Sequence, residues 1–322
     1  MKNLKKLFIL LVKSIVNPQQ FFYVFNKRFL ISPSLQSLHN IKNKYLSKKY
    51  YNFWINLSKK NIRFKKLFFD NESLLDEINI NYKDKKYFDE FFFQHLSSNG
   101  IVVLENILPD SEKNIIKNNF ITLKKFDNCI FPDQINQWLK KPVIMQSDKK
   151  KRIYSKKNIE KFPNLKKISD ELTKKICGRA LKTEAEFFYD MCVKIPENKV
   201  RGDNNIHIDR FLPNFKIIYS PFKVGIHDAP FTYLVGSHKI NKDHENLVFK
   251  KIPSEIDETI NFNFKNKKIK IILKENSLIV ALTNGLHGRS PFTQLNERML
   301  LFLQYNKSFN KLAFLNYKNF NK

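Results

Sequence analysis

The chain has 322 residues, 42% of them hydrophobic and 14% aromatic, which is enough apolar material for a large core and too much for a disordered polymer. Only 7 glycines and 12 prolines exclude a collagenous or linker-dominated protein. The formal charge of +28 is uneven: Met1 to Phe69 carries 15 Lys or Arg and no acid, so more than half of the excess lies in the first fifth of the chain.

Leu4, Leu7, Phe8, Leu11 and Ile15 recur at helical spacing beside Lys2, Lys5, Lys6 and Lys13, until Pro18 ends the run. A basic amphipathic helix of this kind has three readings. Its apolar face packs on the main domain, or it lies on an anionic membrane surface, or it contacts nucleic acid. The surface reading makes residues 1–69 a peripheral contact on the inner face of the membrane. It expects deletion of residues 1–17 to release the protein from anionic vesicles at low salt, and unchanged binding would exclude that helix as the anchor.

The apolar run Leu7–Val16 is interrupted by Lys13 and too short to span a bilayer, and no A-x-A cleavage site can follow it because the first alanine is Ala180. Cys129, Cys177 and Cys192 are an odd number without zinc-like spacing and read as reduced thiols. The expectation is a cytoplasmic protein. Two more basic-aromatic stretches, KRF around Arg28 and IRFKKLFF at 62–69, complete a basic, mostly helical N-terminal extension over 1–86.

The main domain is expected over 87–322. FDEFFFQHLSSNG reads as a helix closed by Gly100, IVVL at 101–104 as a strand, and LPDSEKNIIKNNF as a helix capped by Asp110 or Ser111. Residues 124–184 read as lysine-rich and mostly helical or irregular. Strands then dominate: 187–195, the NIHIDRF segment, 215–222, 231–235, 267–273, 277–282 and 298–305. Short strands at close spacing predict an antiparallel sandwich or barrel.

In NIHIDRF, Ile206 and Ile208 alternate with His207 and Asp209, so a strand would turn an imidazole and a carboxylate to one face. Alone this is weak, since roughly one chance H-x-[DE] is expected in such a chain. His287 at the end of SLIVALTNGLHG and Arg298, which opens RMLLFLQY, give it weight. An arginine starting so apolar a strand requires a partner. The set fits a two-histidine, one-carboxylate facial triad for Fe(II), with Arg298 as a bidentate clamp on the distal carboxylate of 2-oxoglutarate. Dioxygen would take the remaining position.

From Phe91 to Tyr305 the chain resembles the phytanoyl-CoA dioxygenase family of Fe(II)- and 2-oxoglutarate-dependent oxygenases. The resemblance rests on NGIVVLENILPDSE, HID at 207–209, DAPFTYLVGSHK at 228–239, ENSLIVALTNGLHG at 275–288 and Arg298, in that order. It implies a mainly β fold, a double-stranded β-helix (jelly-roll, cupin-like) core with helical additions. It also implies iron on His207, Asp209 and His287, 2-oxoglutarate on Arg298, and O2 as second cosubstrate. The chain departs from the family at Asp228-Ala229, Val235, near Ile218 and at Arg289. Arg289 reads either as a contact to an anionic substrate or as a surface arginine.

Tyr189, Lys194 and Asn205 are the candidate donors to the C1 end of 2-oxoglutarate, against core or surface duty for each. His238 reads as a structural residue of the GSH turn, His227 and His244 as exposed, and His39 and His95 as non-catalytic. The function expected is hydroxylation of a small-molecule, lipid or glycan-linked substrate, because Asp209 occupies the position that iron halogenases of related fold leave open for chloride. Two other readings compete: a non-catalytic basic binding protein, and a nucleic-acid demethylase of the same cofactor class. The first predicts that replacing His207 or Asp209 changes nothing. The second lacks any nucleic-acid motif, and the charge is concentrated away from the catalytic strands, so no specific nucleic-acid partner is expected.

Overall fold

The computed structural model describes residues 48, 51–52, 55–56, 58–124, 143–147, 150–155, 158–178, 180, 186–193, 206–209, 214–242, 244–245, 268–290 and 297–304. The expected helix at 4–15, the KRF stretch, His39, Cys129, Lys194 and Asn205 lie outside the described residues.

The most apolar stretches are strands covered on both faces. In Ile101–Glu105 (β2), Ile101 and Val103 join one buried cluster while Val102 and Leu104 join another. Ser277–Leu282 (β9) divides the same way, Ile279 and Ala281 against Leu278, Val280 and Leu282. A strand with period-two geometry and two buried faces has no polar side, and so reads as an unbroken apolar run.

Asn79–Asn81 (β1), Val143–Ser147 (β3), Lys150–Ser155 (β4), Glu186–Val193 (β5), Phe215–Ser220 (β6) and Glu297–Gln304 (β11) complete an eight-stranded sheet ordered β1-β2-β9-β6-β11-β5-β4-β3. Phe231–Leu234 (β7), Lys268–Ile271 (β8) and His287–Arg289 (β10) form a second sheet ordered β10-β7-β8. An isolated antiparallel bridge from His207 to His287 adds one rung at its edge. From β5 onward the chain passes from the large sheet to the His207 bridge, back to β6, across to β7 and β8, back to β9, across to β10 and back to β11. That alternation is the connectivity of a jelly roll. Tyr233 and Ile271 of the small sheet pack with Ile101, Ile218, Ile279 and Leu300 of the large one to form the layer between the sheets.

Helices cover the other face of the large sheet. They are Ile62–Phe68 (α1), Lys85–Asn99 (α2), Asp110–Lys124 (α3) and Pro163–Cys177 (α4). Phe64, Leu67 and Phe68 of α1 are buried while Lys65 and Lys66 are exposed, so IRFKKLFF packs its apolar face on the domain. The division at 86/87 falls inside α2, and residues before it supply α1 and β1, the latter paired in parallel with β2. Gly100 closes α2 in the left-handed region at φ 78°. The α3 helix begins at Asp110 itself, one residue earlier than a cap at Asp110 would allow and two earlier than a cap at Ser111.

The α4 N-terminus is capped from outside. Phe162 offers no side-chain bond and Pro163 occupies the first turn, so the buried carboxylate of Glu112 on α3 accepts from Asn164 N at 3.0 Å and Leu165 N at 2.8 Å. Glu112→Ala should destabilise the protein by about 1.5–3 kcal/mol, read as a lower urea midpoint at unchanged slope. A change under about 0.5 kcal/mol would show that this cap is not needed.

Two expectations are corrected. Residues 143–147 and 150–155, in the stretch read as mostly helical or irregular, form the antiparallel pair β3–β4, which extends the large sheet beyond β5. The NIHIDRF segment is not a ladder-forming strand in its described part. After the single rung at His207 the chain bends, and Asp209 N turns to Thr283 O at 2.9 Å. No helix among the described residues is long and apolar enough to cross a membrane.

Candidate metal centre

The first His-Asp pair arrives by way of two isoleucines. Ile208 is buried in the cluster beneath the helices and Ile206 packs against it, which leaves His207 and Asp209 turned the other way. His207 N donates to His287 O at 2.8 Å and His287 N to His207 O at 2.9 Å, so the bridge itself holds the two histidines side by side. Their rings lie 4.6 Å apart between centroids.

His287 follows a tight turn after β9, and the GSH stretch braces that turn. Leu286 N donates to Ser237 Oγ at 2.8 Å, Asn284 Nδ2 to His238 O at 2.7 Å, and Tyr233 Oη to Leu282 O at 2.9 Å. A Cβ on Gly285 would collide with Tyr233 Oη and come within 3.0 Å of His238 N, so only glycine lets the turn lie this close. His238 is fully buried, and its Nε2 bonds Ser97 O at 3.0 Å. Burial pushes its pKa down to about 3, which makes it a neutral brace between α2 and the turn.

One group of three potential metal-ligating residues is present among the described residues: His207, Asp209 and His287, each offering one atom, all within 4.8 Å of one another. Asp209 Oδ1 lies 3.7 Å from His207 Nε2, and Asp209 Oδ2 lies 3.5 Å from His287 Nε2. His287 Nδ1 bonds Gly285 O at 2.9 Å, which makes Nδ1 the protonated nitrogen and leaves the Nε2 lone pair facing the carboxylate. That buried Nε2 makes no hydrogen bond among the described residues. Burial lowers the pKa of His287, with the Asp209 charge opposing it in part, so the ring stays neutral, the form a ligand needs. The Nε2 atoms of two imidazoles and a carboxylate converging in this way fit a cation, and the donor set is that of a facial triad.

Sequence reasoning missed a fourth residue. Lys216 Nζ lies 2.6 Å from Asp209 Oδ2. Burial by itself would raise the Asp209 pKa, but the Lys216 ammonium, followed by His287 and His207, holds the carboxyl well below its usual range. Lys216 opens β6 two residues before Ile218, on the face between the sheets.

Arg298 is buried, on the same inter-sheet face of β11 as Leu300, and its Nη1 donates to Ala229 O at 2.6 Å. It is not part of the triad. Gln304 pairs with Lys216, so Arg298 lies six residues away at the other end of β11. Tyr189 pairs with Leu301 in the β5–β11 ladder. Arg289 is buried, which removes the surface reading, and it shares the small sheet's inner face with His287. His227 is exposed as expected. His244 is not: it is fully buried with Nδ1 3.3 Å from Tyr51 Oη, and burial pushes its pKa down to about 4. His95 is tied to Glu77 O at 2.9 Å, and the Cys177 side chain is buried.

No protein-family model matches the chain, and no curated protein matches it. Among solved structures it is similar to the epimerase SnoN in complex with Fe3+, alpha-ketoglutarate and nogalamycin RO, at 10% identity over 69% of this chain and 84% of that one, with a TM-score of 0.45. It is similar to EctD from S. alaskensis with bound Fe at 14% identity, over 76% of this chain and 82% of that one, with a TM-score of 0.43. HygX from Streptomyces hygroscopicus with nickel and 2-oxoglutarate bound gives 14% identity, 70% and 86% coverage, and a TM-score of 0.39.

Proposed function

We propose that the chain is a non-haem Fe(II)- and 2-oxoglutarate-dependent oxygenase of the phytanoyl-CoA dioxygenase type that hydroxylates a small-molecule, lipid or glycan-linked substrate. The observation that carries this reading is the convergence of His207, Asp209 and His287 at the mouth of a jelly roll. A three-donor face leaves three positions for exogenous ligands. When bound, iron with 2-oxoglutarate and dioxygen supplies the oxidising power for C–H oxidation, with succinate and CO2 as coproducts.

The protein's part is to hold and orient. The Gly285 carbonyl fixes the His287 tautomer, and the bridge to His207 sets the spacing of the two imidazoles. Phe231 stacks on the His287 ring at 5.5 Å and walls it from the interior. Asp209 stays ionised at neutral pH and fills the position a halide would need, which favours hydroxylation over halogenation. Arg298 is the clamp for the distal carboxylate, a role in which a planar guanidinium outperforms an ammonium.

The test is an anaerobic titration of the Fe(II)-loaded protein with 2-oxoglutarate, followed by visible absorption. A saturable band is expected, and succinate should form when air is admitted. A protein that binds Fe(II) but neither develops the band nor consumes 2-oxoglutarate is not this enzyme.

A further inference from the structure

We propose that Lys216 binds the 2-oxo acid at its C1 end, its ammonium taking the carboxylate next to the keto group. This assignment rests on the oxygenase reading above and adds a residue to the same site.

The argument begins with where the ammonium lies. Lys216 projects from the first position but one of β6, on the inter-sheet face, and touches the one carboxylate of the triad. Its partner oxygen, Asp209 Oδ2, is also the oxygen that faces His287 Nε2. A cation held between Asp209 and the two imidazoles draws on that carboxylate, and it places positive charge beside the positive charge of Lys216. Two like charges this close repel strongly in a partly buried site. An anion between or beside the two cations relieves this repulsion. A lysine is suited to the exchange, since its point charge and flexible stem can turn from one oxygen to another without the fixed fork of an arginine.

The second strand of the argument is the spacing of charge along the interior. Lys216 faces the rung closed by Gln304, and Arg298 faces inward at the opposite end of β11. The two cations therefore stand at the two ends of one inter-sheet space, with the triad next to the first. A dicarboxylate chelating the metal through its keto end presents a charge to each.

The test uses the full chain loaded anaerobically with Fe(II), and titrates it with 2-oxoglutarate and, separately, with pyruvate, which lacks the distal carboxylate. Lys216→Met should weaken both acids by about 10- to 100-fold, the range for loss of one charged hydrogen bond. Its Fe(II) affinity without acid should equal or exceed wild type, because a repelling charge has been removed. Lys216→Arg should recover part of the loss. Arg298→Ala should weaken 2-oxoglutarate and leave pyruvate unchanged. Wild-type affinity for both acids in Lys216→Met overturns the assignment. So does a fall in Fe(II) affinity that accounts for the whole loss, since Lys216 would then only orient Asp209. If metal-loaded wild type binds neither acid, the oxygenase reading fails together with this assignment, an outcome distinct from failure of the variant alone.

Discussion

His287→Ala and Asp209→Ala should each abolish the visible band of the anaerobic Fe(II) titration and all succinate formation. Each removes one of three donor atoms lying within 4.8 Å of one another, and a facial triad needs all three. Loss of an outer partner of a metal ligand commonly costs about 10–100-fold in affinity, so loss of the ligand itself should exceed that range. His238→Gln makes a useful contrast. His238 is as buried as His287 but bonds Ser97 O behind the turn, so its replacement should lower stability while the folded fraction still binds iron. Full iron-dependent absorption in His287→Ala would remove the triad assignment, and with it the observation on which the function stands.

Gly100→Ala should cost about 3 kcal/mol or more in stability. The residue closes α2 at φ 78°, where an L side chain loses about 1–2 kcal/mol, and a Cβ there would run into His238 Nδ1 and Tyr233 Oη. Both are fully buried side chains held by their own hydrogen bonds, so the neighbours cannot yield cheaply, and overpacking adds about 1–3 kcal/mol. Gly178 separates the two contributions. It closes α4 at φ 82°, but a Cβ there would meet only the flexible Arg63 side chain, at 3.6 Å. Gly178→Ala should therefore show the backbone cost alone, about 1–2 kcal/mol. Equal urea midpoints for the two variants would mean that the contact of Gly100 with the GSH turn contributes nothing. Because that turn also braces the segment presenting His287, the Gly100 variant should lose iron affinity in its remaining folded fraction, and Gly178→Ala should not.

Much of this molecule is written locally. The strands from 101 and 277 are legible because burial on both faces leaves no polar position to interrupt them. The stop at Gly100 is legible because a helix ending in the left-handed region favours glycine. The β3–β4 pair is less so: VIMQS and KKRIYS carry only short apolar pairs among lysines and polar residues, and no uninterrupted run marks them. His244 lies in the polar stretch NKDHEN, and nothing nearby in sequence announces that it packs against Tyr51. Arg289 suits the surface equally well by residue type, and it is buried.

The sequence by itself determined most of the elements from 87 onward, the β3–β4 pair excepted, and the three residues whose side chains have ligand chemistry. Those follow from periodicity and residue type, which are properties of short segments. Only the tertiary structure decided which groups meet. Strand register, in which a shift of one residue exchanges the faces, turns Lys216 into the site. Among 58 lysines and arginines, no local pattern distinguishes the one that reaches Asp209, because that contact is made across strands far apart in sequence.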